Sequence, residues 1–289
     1  MNIPWIQLSH KLSCDNFTAA EAIEEGKLLW EVALRPAKFT DFMGETHTAA
    51  GHFFIVRLDD YSVLGAAKTR YMPLQNREAF VFMDNLVQEG LVNFKYAGSS
   101  NGGQYIYLLA NLPTHISINN NIYRNFLLLS NSHNGSSKVK ITHLIISPED
   151  ICLPTSAESS FSIMHTKNLH FSVEKARKSL QIINESLPTI EKNYQRLSTT
   201  QITPYQFEGI IRNVFPQQEG KKVNTVRKLV EQYKIIHKNG QKTALDALQF
   251  LSTYLDTTRG RTINARLSYS WFGPGQDLKV RLLEKFLGI

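Results

Sequence analysis

The sequence predicts an α+β fold: a mostly antiparallel sheet with one inserted helix in the N-terminal half, and a helical C-terminal half. Between residues 28 and 146, short apolar and β-branched runs alternate with Gly, Asn, Ser and Asp clusters, the signature of hairpins. From Ser172 on, apolar residues recur at steps of three and four, the period of an amphipathic helix. Strands therefore come first and helices after, not in βαβ alternation. We divide the chain into a sheet-rich region, 1–170, and a basic helical region, 171–289, that packs on it and can be continuous with it.

The elements follow in order. Thr18-Ala-Ala-Glu21 is a capping-box pattern, so a short helix is expected over Ala19 to Glu25, with Gly26 as its stop. Leu28 to Leu34 reads as a strand, as does His52 to Leu58, with a polar connection containing His47 between them. Asp59-Asp60 turns the chain into Ser62 to Tyr71. Asn76 can cap a helix that places Ala79, Phe80, Met83, Leu86 and Val87 on one face and stops at Gly90. Val92 to Ala97 and Gln104 to Leu109 flank Gly98 to Gly103, a hairpin with a flexible tip. Tyr123 to Leu129 and Lys138 to Ile146 repeat the device around Ser130 to Gly135.

In the second half, Ala176, Leu180, Ile183, Leu187, Ile190, Tyr194 and Leu197 form a heptad-like stripe on a helix kinked by Pro188. The stripe is expected to cover the sheet, and it also permits self-association. Thr203-Pro204 opens a helix that ends at Pro216. Further helices are expected over Asn224 to His237 and Ala244 to Leu255. A short extended piece and Gly273-Pro-Gly275 then precede a last helix ending near Phe286.

Charge is distributed unevenly. Residues 1–200 hold 18 Lys and Arg against 18 Asp and Glu, while residues 201–289 hold 14 against 7, so the whole +7 lies in the last part. Its densest stretch, Glu219 to Lys242, carries Lys221, Lys222, Arg227, Lys228, Lys234, Lys238 and Lys242 against two glutamates. A one-signed surface of this kind suits an anionic partner. No run approaches the about 18 apolar residues of a membrane span, and the N-terminus lacks a signal-peptide pattern, so a soluble, cytoplasmic protein is expected. Cys14 and Cys152 read as two buried free thiols.

Catalytic signatures are weak. Gly98 to Gly103 joins two strands and lacks the phosphate-loop pattern, histidines show no HExxH or HxxxH spacing, and no GxSxG or catalytic-cysteine pattern occurs. No cofactor or catalytic metal is expected. What the sheet half does offer is cations interleaved with aromatics: Lys68, Arg70 and Tyr71; Lys95 and Tyr96; Asn101, Tyr105 and Tyr107 around the turn; and Arg124 beside Tyr123. Lys68 and Arg70 share a strand face. Proteins that hold single strands combine cations that track phosphates with rings that stack on bases. The plainer reading of these residues is a solvated sheet face with ordinary aromatic edges.

Together the motifs resemble the phage/plasmid-like family, a domain-of-unknown-function family numbered nine hundred and thirty-two. The resemblance rests on Trp5, Trp30 with Glu31 and Val32, Gln75 to Phe80, Ala97 to Gly103, Leu128 to Gly135, His165-Thr166, and Arg266 through Ser270 to Gly275. It implies a mobile-element origin and no known activity. One segment departs from the pattern: Ser252 to Thr257 keeps Tyr254 and Asp256 but lacks the family's glutamate and histidine there.

The expected function is a non-enzymatic protein of a phage or plasmid that binds nucleic acid, DNA in the first instance. It would support recombination, annealing or replication, with the sheet as platform and Lys221, Lys222, Arg227, Lys234 and Lys238 neutralising phosphates. One alternative is an accessory factor directed at a host or phage protein, such as an inhibitor of a host defence system. Another is an enzyme acting on nucleic acid through Tyr254, Asp256 and Arg259.

Overall fold

The structure is a computed structural model in which residues 3–135, 138–155, 160–164, 169–215, 223–237 and 242–289 are described. Helix α1 (Pro4–Leu8) leads into the short strand β1 (Ser9–Lys11), and α2 (Ala19–Glu25) follows. The capping box forms as the sequence requires: the Thr18 and Glu21 side chains each accept the other's backbone N–H. Strands β2 (Val32–Thr40), β3 (Thr46–Arg57) and β4 (Val63–Lys68) make a three-stranded antiparallel sheet in chain order. Helix α3 (Asp84–Gln88) separates it from β5 (Asn93–Ser100), β6 (Tyr105–Ile118), β7 (Asn121–Ser132), β8 (Lys138–Ile146), β9 (Cys152–Leu153) and β10 (Ser160–Met164). These join β1 in a second antiparallel sheet of order β1-β5-β6-β7-β8-β10, with β9 on β8.

The remaining elements are helical: α4 (Leu169–Thr199), α5 (Pro204–Val214), α6 (Val223–His237), α7 (Ala244–Thr258), α8 (Ile263–Leu267) and α9 (Pro274–Leu287). Capping boxes at Thr203 with Gln206 and at Thr243 with Asp246 set the starts of α5 and α7. The fold class is the α+β arrangement that the sequence predicts.

Several local expectations change. The strand expected over Ser62 to Tyr71 ends at Lys68, so Arg70 lies in the turn after it and does not share a strand face with Lys68, and His47 lies within β3 and not in a connection. The first strand starts at Val32 rather than at Leu28. The helix over 76–90 is broken into 3-10 turns at Asn76–Glu78 and Val81–Met83 and the five-residue α3. Its face is nevertheless buried at Ala79, Phe80, Met83, Leu86 and Val87. Asn76 does not cap; its amide donates to the Leu28 and Trp30 carbonyls at 2.8 and 3.1 Å. The piece before Gly273 is helical, with a π-type turn over Ser268–Phe272 continuing α8. Of the two free cysteines only Cys152 is buried, whereas Cys14 is exposed.

Three apolar clusters make the core, and each contains residues from both sides of position 170. The first packs α2, Phe80 and Met83 against the sheets, and the second packs α5, α6, α7 and α9 together. The third seats Trp5 against Trp271, with ring centroids 6.1 Å apart. Helix α4 joins the first two: Ala176, Leu180 and Ile183 enter one, and Ile190, Tyr194 and Leu197 the other. The heptad-like stripe is thus used inside the molecule, and α4 continues through Pro188.

Polar groups inside this core are specifically held. The Lys279 ammonium, fully buried, lies 2.6 Å from Asp256 Oδ1 and donates to the Cys152 carbonyl at 3.0 Å. Burial pushes the Asp256 carboxyl up, and Lys279 opposes that shift. His133 Nε2 meets Asn76 Oδ1 at 2.7 Å, and His143 Nε2 meets Asn125 Oδ1 at 3.2 Å. An amide oxygen only accepts, so both rings carry the proton on Nε2, leaving Nδ1 buried with no partner. Protonating Nδ1 would bury an unpaired N–H, and burial pushes both imidazoles down to about 4.

Two stability predictions follow from these groups. Lys279→Met should cost about 3–5 kcal/mol in urea denaturation because it strands a buried carboxylate, while Asp256→Leu/Lys279→Met should recover most of the loss. For the histidines, the unfolded chain takes up protons near pH 6.5 and the folded chain only near 4. Their contribution is complete above about pH 6.5 and is lost as pH falls toward 4, on the order of 3 kcal/mol for each ring. Because the raised carboxyls Asp84 and Asp256 act in the opposite sense, the check is comparative. His143→Gln should remove one ring's share of the pH dependence, about 1.4 kcal/mol of stability per pH unit between pH 6.5 and 4.5, read from urea denaturation at each pH.

Candidate nucleic-acid interface

The cations of the sheet half separate into two kinds. Lys95 on β5 is paired with Asp15, and Arg124 on β7 is paired with Asp150 while lying 5.8 Å from the Phe126 ring centroid. Asp150 also ties α1 to this corner, since its carbonyl accepts the Trp5 indole N–H at 3.0 Å. Both cations are therefore neutralised within the protein. Lys68 and Arg70, by contrast, are exposed and make no ion pair among the described residues.

Their surroundings form a concavity of about 500 Å³ lined by His52, Ala66, Lys68, Arg70, Tyr71 and Gly135. Tyr71 is half-buried, its ring packed on the first core cluster and its hydroxyl pushed up by burial. Strand register explains the grouping. His52 is the cross-strand partner of Lys68, and Arg35 is the partner of Phe54, itself the partner of Ala66. Alternation places Arg35, His52 and Lys68 on one face, opposite Leu34, Ile55 and Ala67, which pack into the core. The wall on the other side is the 133–135 segment: a Cβ at Gly65 would sit 2.7 Å from Asn134 Cα, so only glycine lets β4 approach so closely. Sequence reading missed Arg35 and His52. Their signal was the period-two alternation of β2 and β3, which points to a shared face only once the pairing is known.

The aromatic half of the expected platform is used differently. Tyr96 packs edge-on to Trp5 at 5.3 Å and beside Phe126. Tyr107 is fully buried, with its hydroxyl 3.0 Å from Ser9 Oγ. Tyr105 stacks on Phe272 at 4.5 Å and 7°, and its hydroxyl accepts from the Asn134 amide at 2.9 Å. None of these rings presents a free face comparable to that expected for base stacking.

The turn between β5 and β6 is likewise not a free finger. Ser100 Oγ lies 2.6 Å from Ser268 Oγ and donates to the Asn264 carbonyl. The Asn101 N–H donates to Asn264 Oδ1 at 3.2 Å, and Asn101 itself is left-handed at φ 51°. Gly103 abuts Trp30, where a Cβ would come within 2.8 Å of the indole. Over that indole lies Arg57 at 4.5 Å, held by Asp59. The Ser130 to Gly135 stretch is also anchored, with Ser130 to Ser132 inside β7 and the His133 N–H on the Gln104 carbonyl at 2.7 Å. Three of the segments that carry the family resemblance thus meet in space: Ala97 to Gly103, Leu128 to Gly135 and Arg266 to Gly275.

On the basic helix α6, Arg227 and Lys234 are exposed opposite the buried Val226, Leu229, Val230 and Tyr233, and Arg227 comes within 3.8 Å of Glu231. Lys221, Lys222 and Lys238 lie outside the described residues, as do His165 and Thr166. The residues named for catalysis do not converge: Asp256 is committed to Lys279, while Tyr254 faces Arg259 at 5.6 Å. The turn residues Asp41, Glu45 and His47 bring potential metal-binding atoms within 4.8 Å of one another. Asp41 is already occupied by the Met43 and Glu45 amides and by His47. Among the described residues no helix is long and apolar enough to cross a membrane.

No curated protein and no solved structure matches the chain. A family model does match, over residues 63–271, more than two thirds of its length; it covers the first two of the segments that meet at the β5–β6 turn and the third as far as Trp271. The chain belongs to that family, described as Domain of unknown function (DUF932).

Proposed function

We propose that the protein binds nucleic acid without acting on it chemically, as a cytoplasmic DNA-binding factor of a phage or plasmid that supports recombination, annealing or replication. The observation that carries this reading is the concavity at Lys68 and Arg70. Lys68 at the end of β4 and Arg70 in the turn after it, neither in an ion pair among the described residues, flank a half-buried tyrosine and a histidine there, beside a sheet face that also holds Arg35. Cations at the end of a strand and in the turn that follows it suit a phosphate backbone, since each phosphate neutralised releases counterions. The adjoining β2–β3 hairpin ends in Phe42, 96% exposed, and Met43, 74% exposed, over a turn fixed by Asp41. Apolar side chains at the end of a polar arm suit insertion between bases.

A second reading, an accessory factor directed at a host or phage protein, draws on the same tip, because Phe42 and Met43 would equally fill an apolar pocket on a partner.

For the DNA reading, Lys68→Glu/Arg70→Glu should lower affinity for a single-stranded oligonucleotide at least tenfold and flatten the log–log salt dependence by about 1–2 units. Arg227→Glu/Lys234→Glu should cost less. Fluorescence anisotropy over a salt titration checks both, and equal losses from the two pairs would remove the sheet as platform. Phe42→Ser/Met43→Ser separates the readings: a loss of DNA affinity at unchanged salt slope supports insertion, and unchanged DNA binding leaves the tip to a protein partner.

A further inference from the structure

We propose that a pocket between α6, α7 and α9 binds a phosphate group through Arg259 and Arg281. The proposal is independent of the sheet site and concerns the opposite, helical half of the chain. The pocket measures about 250 Å³ and is lined by Phe215, Thr225, Arg259, Tyr269, Leu278 and Arg281. Neither arginine makes an ion pair among the described residues, although other arginines of the chain do, at Arg57, Arg124, Arg177 and Arg212. Two guanidinium groups bordering one small cavity, with no carboxylate among its described lining residues, repel each other unless an anion lies between them.

The detail at Arg259 points the same way. Its guanidinium carbon lies 5.6 Å from the Tyr254 ring centroid and 6.0 Å from that of Phe215, so two rings constrain the fork. Its Nε is buried and has no acceptor among the described residues. A buried charged donor left unpaired is costly in a folded protein, and a ligand oxygen would complete it. Both arginines act electrostatically on the Tyr269 hydroxyl, favouring its ionised form against the burial that raises it, which places the two charges around one polar point. Pro274, the first residue of the fourteen-residue α9, also lines the cavity, so the positive end of that helix dipole borders it.

The chemistry is that of an oxyanion with fork geometry, and phosphate matches paired guanidiniums better than it matches lysines. At a water's share of about 30 Å³, the cavity has room for a phosphate with part of a sugar. That favours a terminal phosphate over the internal diester of a duplex. Such a group comes either on a free nucleotide or on the 5′ end of a strand.

Calorimetric titration with inorganic phosphate and with AMP, and anisotropy with 5′-phosphorylated and 5′-hydroxyl oligonucleotides of one sequence, test the proposal. Phosphate and AMP should bind the native chain, and adenosine should not. Arg281→Gln, on an exposed residue, should weaken binding at least tenfold with the thermal midpoint unchanged, and Arg259→Lys, which keeps the charge but removes the fork, should weaken it as well. Preference for the 5′-phosphorylated oligonucleotide, lost in Arg281→Gln, assigns the pocket to strand ends. Equal binding of both oligonucleotides together with AMP binding assigns it to nucleotides. Absence of binding by every phosphate probe, or binding unchanged in both variants, overturns the proposal. The 5′-hydroxyl oligonucleotide reports the Lys68 and Arg70 site separately, so failure at one site is distinguishable from failure at the other.

Discussion

The arrangement of the helical half depends on a lysine that has no access to water. Lys279 cannot keep its charge at full burial without Asp256, and Asp256 cannot keep its own without Lys279. Their pairing fixes α7 against α9, and the bond from Lys279 to the Cys152 carbonyl fixes both against β9 at the sheet. Side-chain positions that would otherwise slide along a helix–helix contact are thereby set. Arg259 follows Asp256 by three residues at the end of α7, and Arg281 follows Lys279 by two on α9. The buried pair is thus what brings two unpaired arginines to one cavity.

Internal compensation also determines which surface charges remain available. The N-terminal half is neutral in sum, which reads as a face without electrostatic function. The structure shows that its neutrality is local. Asp15 and Asp150 each cancel a particular cation, Lys95 and Arg124, whereas among the described residues no carboxylate lies within ion-pair distance of Lys68 or Arg70. A phosphate a few ångströms from such a cation feels its charge, while cancelled pairs beyond about 10 Å contribute little at ordinary salt. Net charge over a long segment is therefore a poor guide to where an anion would dock.

What could be read from the sequence was what is decided locally. The capping box at Thr18, the helix start at Thr203-Pro204, the hairpins around Gly98 to Gly103 and Ser130 to Gly135, and the buried stripe of α4 all depend on residues close in sequence. The failures share a cause in distant contacts. Asn76 looks like a cap, but its amide is drawn to Leu28, Trp30 and His133, 46 to 57 residues away, and the helix it would have started breaks into 3-10 turns. The Gly- and Ser-rich turn at 98–103 looks mobile because small residues serve both flexibility and close approach; here Trp30, Asn264 and Ser268 use them for approach. Cation partners were equally hidden, since Lys95 and Asp15 are 80 residues apart.

The same logic bears on why the family-bearing segments meet where they do. The β5–β6 turn, the 131–135 segment and the α8–α9 turn hold one another through short polar bonds and the Tyr105–Phe272 stack. Their meeting is best understood as the joint that locks the C-terminal helices onto the sheet. The two places with cations unpaired among the described residues are Lys68 with Arg70, ahead of that joint in sequence, and Arg259 with Arg281, which flank its last segment. A rigid joint keeps the spacing between two anion sites constant, and a fixed spacing lets two weak contacts with one strand act as a single stronger one. If both sites take phosphates of the same molecule, the joint confers affinity without touching the ligand.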